Sequence, residues 1–405
     1  MNTDLRQYLL ITGNYWAFTL TDGALRMLVV LHFHQLGFSP LQVATLFLFY
    51  ELFGVVTNLV GGWLGARIGL NRTMNIGLAL QVGALAMLAV PAAWLSVPWV
   101  MAAQALSGIA KDLNKMSAKS SIKLLVPAGH DRGLYRWVAA LTGSKNALKG
   151  VGFFLGGLLL AAFDFRTAVA GMAIALVLVW IGSILGLRRD MGRTRFKPKF
   201  RELLSKSPAI NRLSAARLFL FGARDVWFVV ALPVFLSSTL GWDFWQVGSF
   251  LALWVIGYGA VQALAPWLTG RRKGQAPDGR AVSAWGFALA VVPASIALSL
   301  GFGDASTVLI AGLALFGLLF AVNSALHSYL IVRYADEAGA SLDVGFYYMA
   351  NALGRLLGTV LSGGVFQAWG LNACLWFSSA FIAAAALVAL TLPRDHAPPT
   401  PSSIN

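Results

Sequence analysis

Apolar runs of about 20 residues recur along the whole chain, separated by short polar, glycine- or proline-containing stretches. Each run is long enough to cross the hydrocarbon core of a bilayer. Read at that length, the pattern predicts twelve helices, over 8–34, 41–63, 73–95, 98–125, 134–162, 166–187, 210–240, 244–268, 281–301, 305–333, 342–368 and 371–392. The interval between the sixth and seventh is long and basic (RRDMGRTRFKPKFRELLSK), and the final HAPPTPSSIN is rich in Pro and Ser and reads as disordered. The organisation expected is a six-helix half over 1–187, a basic linker over 188–208, a second six-helix half over 209–392 and a tail over 393–405.

Composition supports an all-α polytopic membrane protein. Of 405 residues, 58% are hydrophobic and 12% charged, with mean hydropathy +0.71, against about 25% charged for a soluble protein. The net charge of +15 would suggest nucleic acid in a soluble chain. Here it follows from basic loops facing the cytoplasm, and no nucleic-acid partner is expected. The single cysteine, Cys374, lies in an apolar run, so neither a disulfide framework nor a thiol metal site can form within the chain. MNTDLRQ and the segment after it lack the form of a cleavable signal.

Loop charges orient the chain. One set of loops holds Arg67, Arg72, Arg132, the basic linker, GRRKGQAPDGR and Arg333. The other set (HFHQLGFSP, WLSVP, AAFDFR, TLGWDFWQ, GFGDAS and QAWGLN) holds a single basic residue, Arg166. Both termini are therefore expected in the cytoplasm. Six spans, a polar linker and six spans resemble the major facilitator layout, two pseudo-symmetric six-helix halves about a central site. GGWLGARIGLNR, between the second and third spans, partly matches that superfamily's loop motif, with Ala66 where an acid is expected.

Ionisable residues within spans are costly and face a wet cavity or a partner. The first helix holds Asp22 and Arg26, the second Glu51, the fourth Lys111, Asp112, Lys115 and Lys119, and the fifth Lys145 and Lys149. The seventh holds Arg217, Arg224 and Asp225, the tenth His327 and the eleventh Arg355, whereas the third, sixth, ninth and twelfth hold none in their apolar interiors. In facilitator folds those four helices are the outer scaffold. Nine of the residues named are Lys or Arg and four are carboxylates, and each unpaired cation at a helix centre costs about 2.5–3.5 kcal/mol. The missing counter-charge is expected to be a multiply charged organic anion.

KDLNKMSAKSSIK places Lys111, Lys115, Lys119 and Lys123 every fourth residue, one broad helix face descending about 18 Å. Lys123 reads as an interfacial anchor, Lys119 as intermediate, and Lys111 and Lys115 as cavity wall. Lys145 and Lys149, also four apart, read as anion ligands, with Asn146 beside them. Arg26 and Arg224 open the two halves at similar depth. Either they pair internally with Asp22 and Asp225, or they face each other as guanidinium forks for an oxyanion. Arg217 reads as interfacial. His327, with Asn323 one turn earlier, is either a packing residue or a titrating one. Arg355 pairs with an acid or lines the site, and Glu51 carries a proton or neutralises a lysine.

NYWAFTLTDGALRMLVVLHFHQLG, LNRTMNIGLALQ, SGIAKDLNKMSAKSSIKLLVP, LTGSKNALKGVGFFLGG and SAARLFLFGARDVWFVVALPVFL resemble the ArsJ organoarsenical efflux permeases, over nearly the whole chain. The resemblance implies export of 1-arseno-3-phosphoglycerate, arsenate resistance, and a functional partnership with a glyceraldehyde-3-phosphate dehydrogenase that makes the ester. A monomer in a bacterial inner membrane is expected, and the buried polar residues themselves, not the resemblance, give the substrate-binding candidates Arg26, Lys111, Lys115, Lys145, Asn146, Lys149, Arg224, His327 and Arg355. Asp22, Glu51, Asp112 and Asp225 are the coupling or charge-pairing candidates, through protons or by phosphate exchange. No cofactor or metal is expected, and no enzyme motif is present. An organophosphate:phosphate antiporter fits the buried cations equally. A drug:proton exporter fits them worse, and an enzyme acting on lipid phosphates would also use basic residues but needs a nucleophile or metal ligands that the sequence does not offer.

Overall fold

The computed structural model describes residues 3–38, 46–126, 131–187, 207–270, 277–336 and 339–393, and among these the regular structure is entirely helical. The first half contains α1 (Thr3–Gln35), α2 (Leu48–Ile68), α3 (Leu70–Leu88), α4 (Val97–Leu125), α5 (Asp131–Ala162) and α6 (Phe165–Gly186). The second contains α7 (Pro208–Ser238), α8 (Phe244–Gly270), α9 (Gly279–Ser299), α10 (Ala305–Tyr334) and the stretch Ala340–Ala389. That last stretch breaks at Gly370, where φ is 76° and ψ −174°. It is a hairpin, because Cys374 Sγ lies 3.9 Å from the carbonyl oxygen of Ser362, whereas a straight helix would separate residues twelve apart by about 18 Å. The two arms are α11 (340–369) and α12 (371–389). Most of the basic linker, the RRK run after α8 and nearly all of the tail lie outside the described residues.

Among the described residues, twelve helices thus stand where twelve apolar runs predicted them, with informative shifts at the ends; the predicted start of the second run, 41–45, lies outside the described residues. The second helix continues to Ile68, past the end of its apolar run, because Arg67 lays its guanidinium over the Trp63 ring, 5.0 Å away. The loop expected between the second and third spans is a single residue, Gly69, with φ 98°. α7 breaks after Phe228, where Pro233 cannot donate to the carbonyl of Val229. Ser362 Oγ caps the freed amide of Ala231 at 3.1 Å. At the end of the bundle opposite the termini, Asp164 and Asp304 cap α6 and α10, and hydrogen bonds from Thr167 and Thr307 hold both carboxylates below the usual range.

Seven helical stretches, Ala340–Ala389 counted once, are long and apolar enough to cross a membrane. α1, α3, α4 and α5 fall short because they carry the polar interior: Asp22 and Arg26, then Asn71 and Gln81, the lysine ladder, and Lys145 with Lys149. α6, α9 and α12 present Leu185, Val291 and Leu387 outward at 82%, 62% and 56% exposure, as lipid-facing scaffold. Within the halves, α1 packs on α5 and α7 on α11; between them, α5 packs on α8 and α2 on α11. A side chain added at Gly143 would run into the backbone of α8 near Gly259, and one at Gly62 into that of Ser341 on α11. Both inter-half seams therefore depend on backbones in contact.

The halves meet at the end where the chain termini lie. There Arg333 Nε pairs with Asp131 Oδ2 at 3.2 Å, and Lys123 Nζ donates to the Arg333 carbonyl at 3.1 Å. The Tyr135 hydroxyl lies 3.0 Å from Thr269 Oγ1, and its ring packs 4.9 Å from that of Tyr329. The hydrogen bonds and ion pairs that tie the halves together here, Lys123–Arg333, Asp131–Arg333, Tyr135–Thr269, Asn146–Gln262 and Glu51–Arg355, run from this end to the level of Glu51 and Arg355. The interior opens toward the opposite end.

Candidate functional site

The helices that line this interior bring the charges of both halves together. Arg26 Nη2 of α1 lies 3.7 Å from Glu51 Oε1 of α2, and Arg355 Nη2 of α11 lies 3.1 Å from the same oxygen. Arg355 Nε donates to Asp225 Oδ2 at 3.1 Å, and Arg224 donates to Asp225 Oδ1 at 2.6 Å. Arg26, Glu51, Arg355, Asp225 and Arg224 therefore form one chain of alternating charge that crosses from half to half. Asp225 is fully buried, but each of its oxygens holds a guanidinium, which offsets the cost of burying it. Arg26, Glu51 and Arg355 keep 27%, 29% and 27% of their side-chain surface exposed and face the open space.

The lysine ladder separates rung by rung. Lys111 Nζ sits 3.8 Å from the Tyr50 ring centroid, and the Tyr50 hydroxyl donates to Asp22 Oδ1 at 2.7 Å. Gly108 lets α4 approach the backbone of Tyr50 closely enough for this stacking, and a side chain at Gly54 would press on Asp112 Oδ2. Lys115 pairs with Asp112 at 2.6 Å and lies 4.8 Å from the Tyr348 ring. Lys119 is 3% exposed, 5.0 Å from the same ring. Lys123 reaches the closed end, as an anchor should.

A second connection between halves contains no carboxylate. Lys145 Nζ donates to Asn146 Oδ1 at 3.2 Å, Asn146 Nδ2 to Gln262 Oε1 of α8 at 2.5 Å, and Gln262 Nε2 to Ser324 Oγ of α10 at 3.2 Å. Arg217 Nη1 donates to that same Ser324 oxygen at 3.1 Å, and its Nε to Asn351 Oδ1 of α11 at 2.8 Å. Lys149 makes no hydrogen bond or ion pair among the described residues. Among the described residues, Lys111, Lys119, Lys145, Lys149 and Arg217 form no ion pair with a carboxylate, although Asp22 lies within electrostatic range of Lys145 and Lys149, and Glu51 of Lys111. These cations lie within electrostatic range of one another. Such an arrangement can bind and desolvate an anion with several charges; among the described residues no group of metal ligands occurs.

Several expectations change. Arg26 pairs with Glu51, not with Asp22, whose carboxylate is taken by Tyr50. Glu51 pairs with two arginines, with Lys111 as an electrostatic neighbour. Arg224 pairs with Asp225, and Arg355 both pairs and lines the space. Arg217 is not interfacial: it is 3% exposed, over the Phe221 ring at 3.8 Å. His327 is 1% exposed with Nδ1 unpartnered, and Asn323 donates to the Val282 carbonyl, so neither side chain reaches the open space. Sequence reasoning missed Tyr50, Gln262, Ser324 and Asn351. Gln262 in the apolar middle of α8, and Asn351 one turn before Arg355, were the available signals.

A major facilitator superfamily family model matches residues 9–277 and again 219–404. No curated protein matches the sequence. Among solved structures, the human organic anion transporter MFSD10 (TETRAN) superposes with TM-score 0.77 at 16% identity, over 96% of this chain and all of its own. The proton:xylose symporter XylE gives TM-score 0.73 at 14% identity, over 95% of this chain and 94% of its own. A bacterial homologue of the iron transporter ferroportin, in an outward-facing state, gives 0.75 at 14%, over 96% and 99%. These likenesses show the fold. With the repeated family match and the two six-helix halves, they make this a multi-pass membrane transporter rather than an enzyme, and the chain belongs to the major facilitator superfamily.

Proposed function

We propose that this transporter carries a multiply charged organic anion out of the cytosol by alternating access, and that the anion is 1-arseno-3-phosphoglycerate. The observation that carries the reading is a set of five cations around one interior, Lys119 and Arg217 buried and Lys111, Lys145 and Lys149 half-buried, none of them ion-paired with a carboxylate among the described residues. The arsenate ester has an oxyanion at each end and so supplies what the protein lacks. The motif resemblance to the ArsJ permeases names the substrate within that class. Lys111, Lys115, Lys145, Asn146 and Lys149 form one side of the binding site, and Arg26, Arg224 and Arg355 the other. The termini lie in the cytoplasm of a bacterial inner membrane, so the state described faces outward. The protein acts as a monomer, in functional partnership with a glyceraldehyde-3-phosphate dehydrogenase.

The test is arsenate resistance in cells expressing the transporter with and without that dehydrogenase. Resistance that requires both supports the reading. Resistance from the transporter alone overturns the arsenate ester as substrate.

A further inference from the structure

We infer that a second anion subsite, for a phosphate-type oxyanion group, lies on the closed side of this interior between Lys119 of α4 and Arg217 of α7. Lys119 lies eight residues beyond Lys111 along α4, about 12 Å nearer the end where the termini lie. Arg217 lies seven residues before Arg224 along α7, about 10 Å nearer the same end. Both are displaced to the same level, one from each half, and Arg217 is the strongest electrostatic neighbour of Lys119.

Each side chain is 3% exposed, and neither meets a carboxylate among the described residues. Arg217 bonds only neutral oxygens, those of Asn351 and Ser324. Lys119 has the Tyr348 ring, and the rings of Tyr347 and Tyr348, 4.9 Å apart, lie against the two cations. The nearest acids are engaged: Asp112 by Lys115, and Asp225 by Arg224 and Arg355. Closing the halves at this level brings two desolvated like charges together, which opposes closure. An oxyanion between them turns that repulsion into attraction. The guanidinium fork suits two of its oxygens and the ammonium a third.

This rests on the anion-carrier reading and adds to it. A substrate with two anionic ends would place one on Lys145 and Lys149 and the other here, so the carrier would select two-ended anions. Free inorganic phosphate has the same chemistry and is the other possible source of the group.

The experiment is equilibrium binding to the purified full-length protein, with propane-1,3-diyl bisphosphate, glycerol 3-phosphate and inorganic phosphate as probes. The unaltered protein is expected to bind the bisphosphate at least tenfold more tightly than glycerol 3-phosphate. Lys119→Gln and Arg217→Gln should each bring that ratio within twofold and leave glycerol 3-phosphate binding in place, whereas Lys119→Arg should restore most of it. If the occupant is free phosphate, the unaltered protein binds phosphate and both glutamine variants lose it, with no preference for the bisphosphate. Variants that bind all three probes as the unaltered protein does overturn the subsite. An unaltered protein that neither prefers the bisphosphate nor binds phosphate, but binds glycerol 3-phosphate, also overturns the subsite and leaves the carrier reading standing. Failure to bind any probe overturns both.

Discussion

Arg355 of α11 reaches across the interface between the halves to Glu51 of α2, at 3.1 Å, and holds Asp225 of its own half with a second nitrogen. One side chain thus ties the two moving bodies together at the level of the open interior. In a rocking transporter this tie has to weaken whenever the halves separate there.

Asp225→Asn should destabilise the protein by about 3–5 kcal/mol, because it leaves two guanidinium groups without their shared buried carboxylate. Thermal unfolding in detergent measures this. Asp225→Asn combined with Arg355→Gln should lose clearly less than the sum of the single losses. Additive losses would mean that the pair does not interact.

Lys145→Gln and Lys149→Gln should do the opposite. Each removes a cation that has no ion-paired carboxylate, so unfolding temperature should stay level or rise, by up to the equivalent of about 3 kcal/mol on insertion scales. Transport should nevertheless be lost. Retained transport in both variants would exclude these lysines from the anion site.

Much of the fold was legible because apolar run length is a one-dimensional signal, and the membrane demands it of every span. The lysine ladder was legible for the same reason, since period and depth can be counted. Partners were not, because they are chosen in three dimensions. Arg26 has Asp22 one turn away on its own helix, but Tyr50 of α2 holds that acid and Glu51 replaces it. Arg217 lies close to the start of its apolar run in sequence. It is nine residues from Pro208, about 14 Å into the helix, at a level the halves bury together. Asn146 stands out in sequence only beside Lys145, and that Gln262 of the other half is its partner emerges only from their hydrogen bond.

Arg333→Gln should weaken the closed end by removing the pair with Asp131. Ser328, fully buried just above this closure, makes a reporter when changed to Cys. Its labelling by a membrane-impermeant maleimide from the side of the termini should increase several-fold in the Arg333→Gln background. Unchanged labelling would show that the ion pair does not hold this end shut.

Gly143→Leu should arrest the carrier more than it unfolds it, since the added side chain meets the α8 backbone at the α5–α8 seam. Expression should persist at reduced stability, with transport reduced at least tenfold. Full transport would mean that the seam does not need backbone contact.

The compensation of charge in the interior is lopsided. Arg224 and Arg355 of the second half are ion-paired with Asp225 and Glu51, which leaves Arg217 as that half's interior arginine without an ion pair among the described residues, whereas Lys111, Lys119, Lys145 and Lys149, all on α4 and α5, form none. An anion entering this space therefore meets cations free of an ion pair mainly on one wall. When the halves tilt, such a cargo would travel as a passenger of the first half, and the second would act as the door that moves past it.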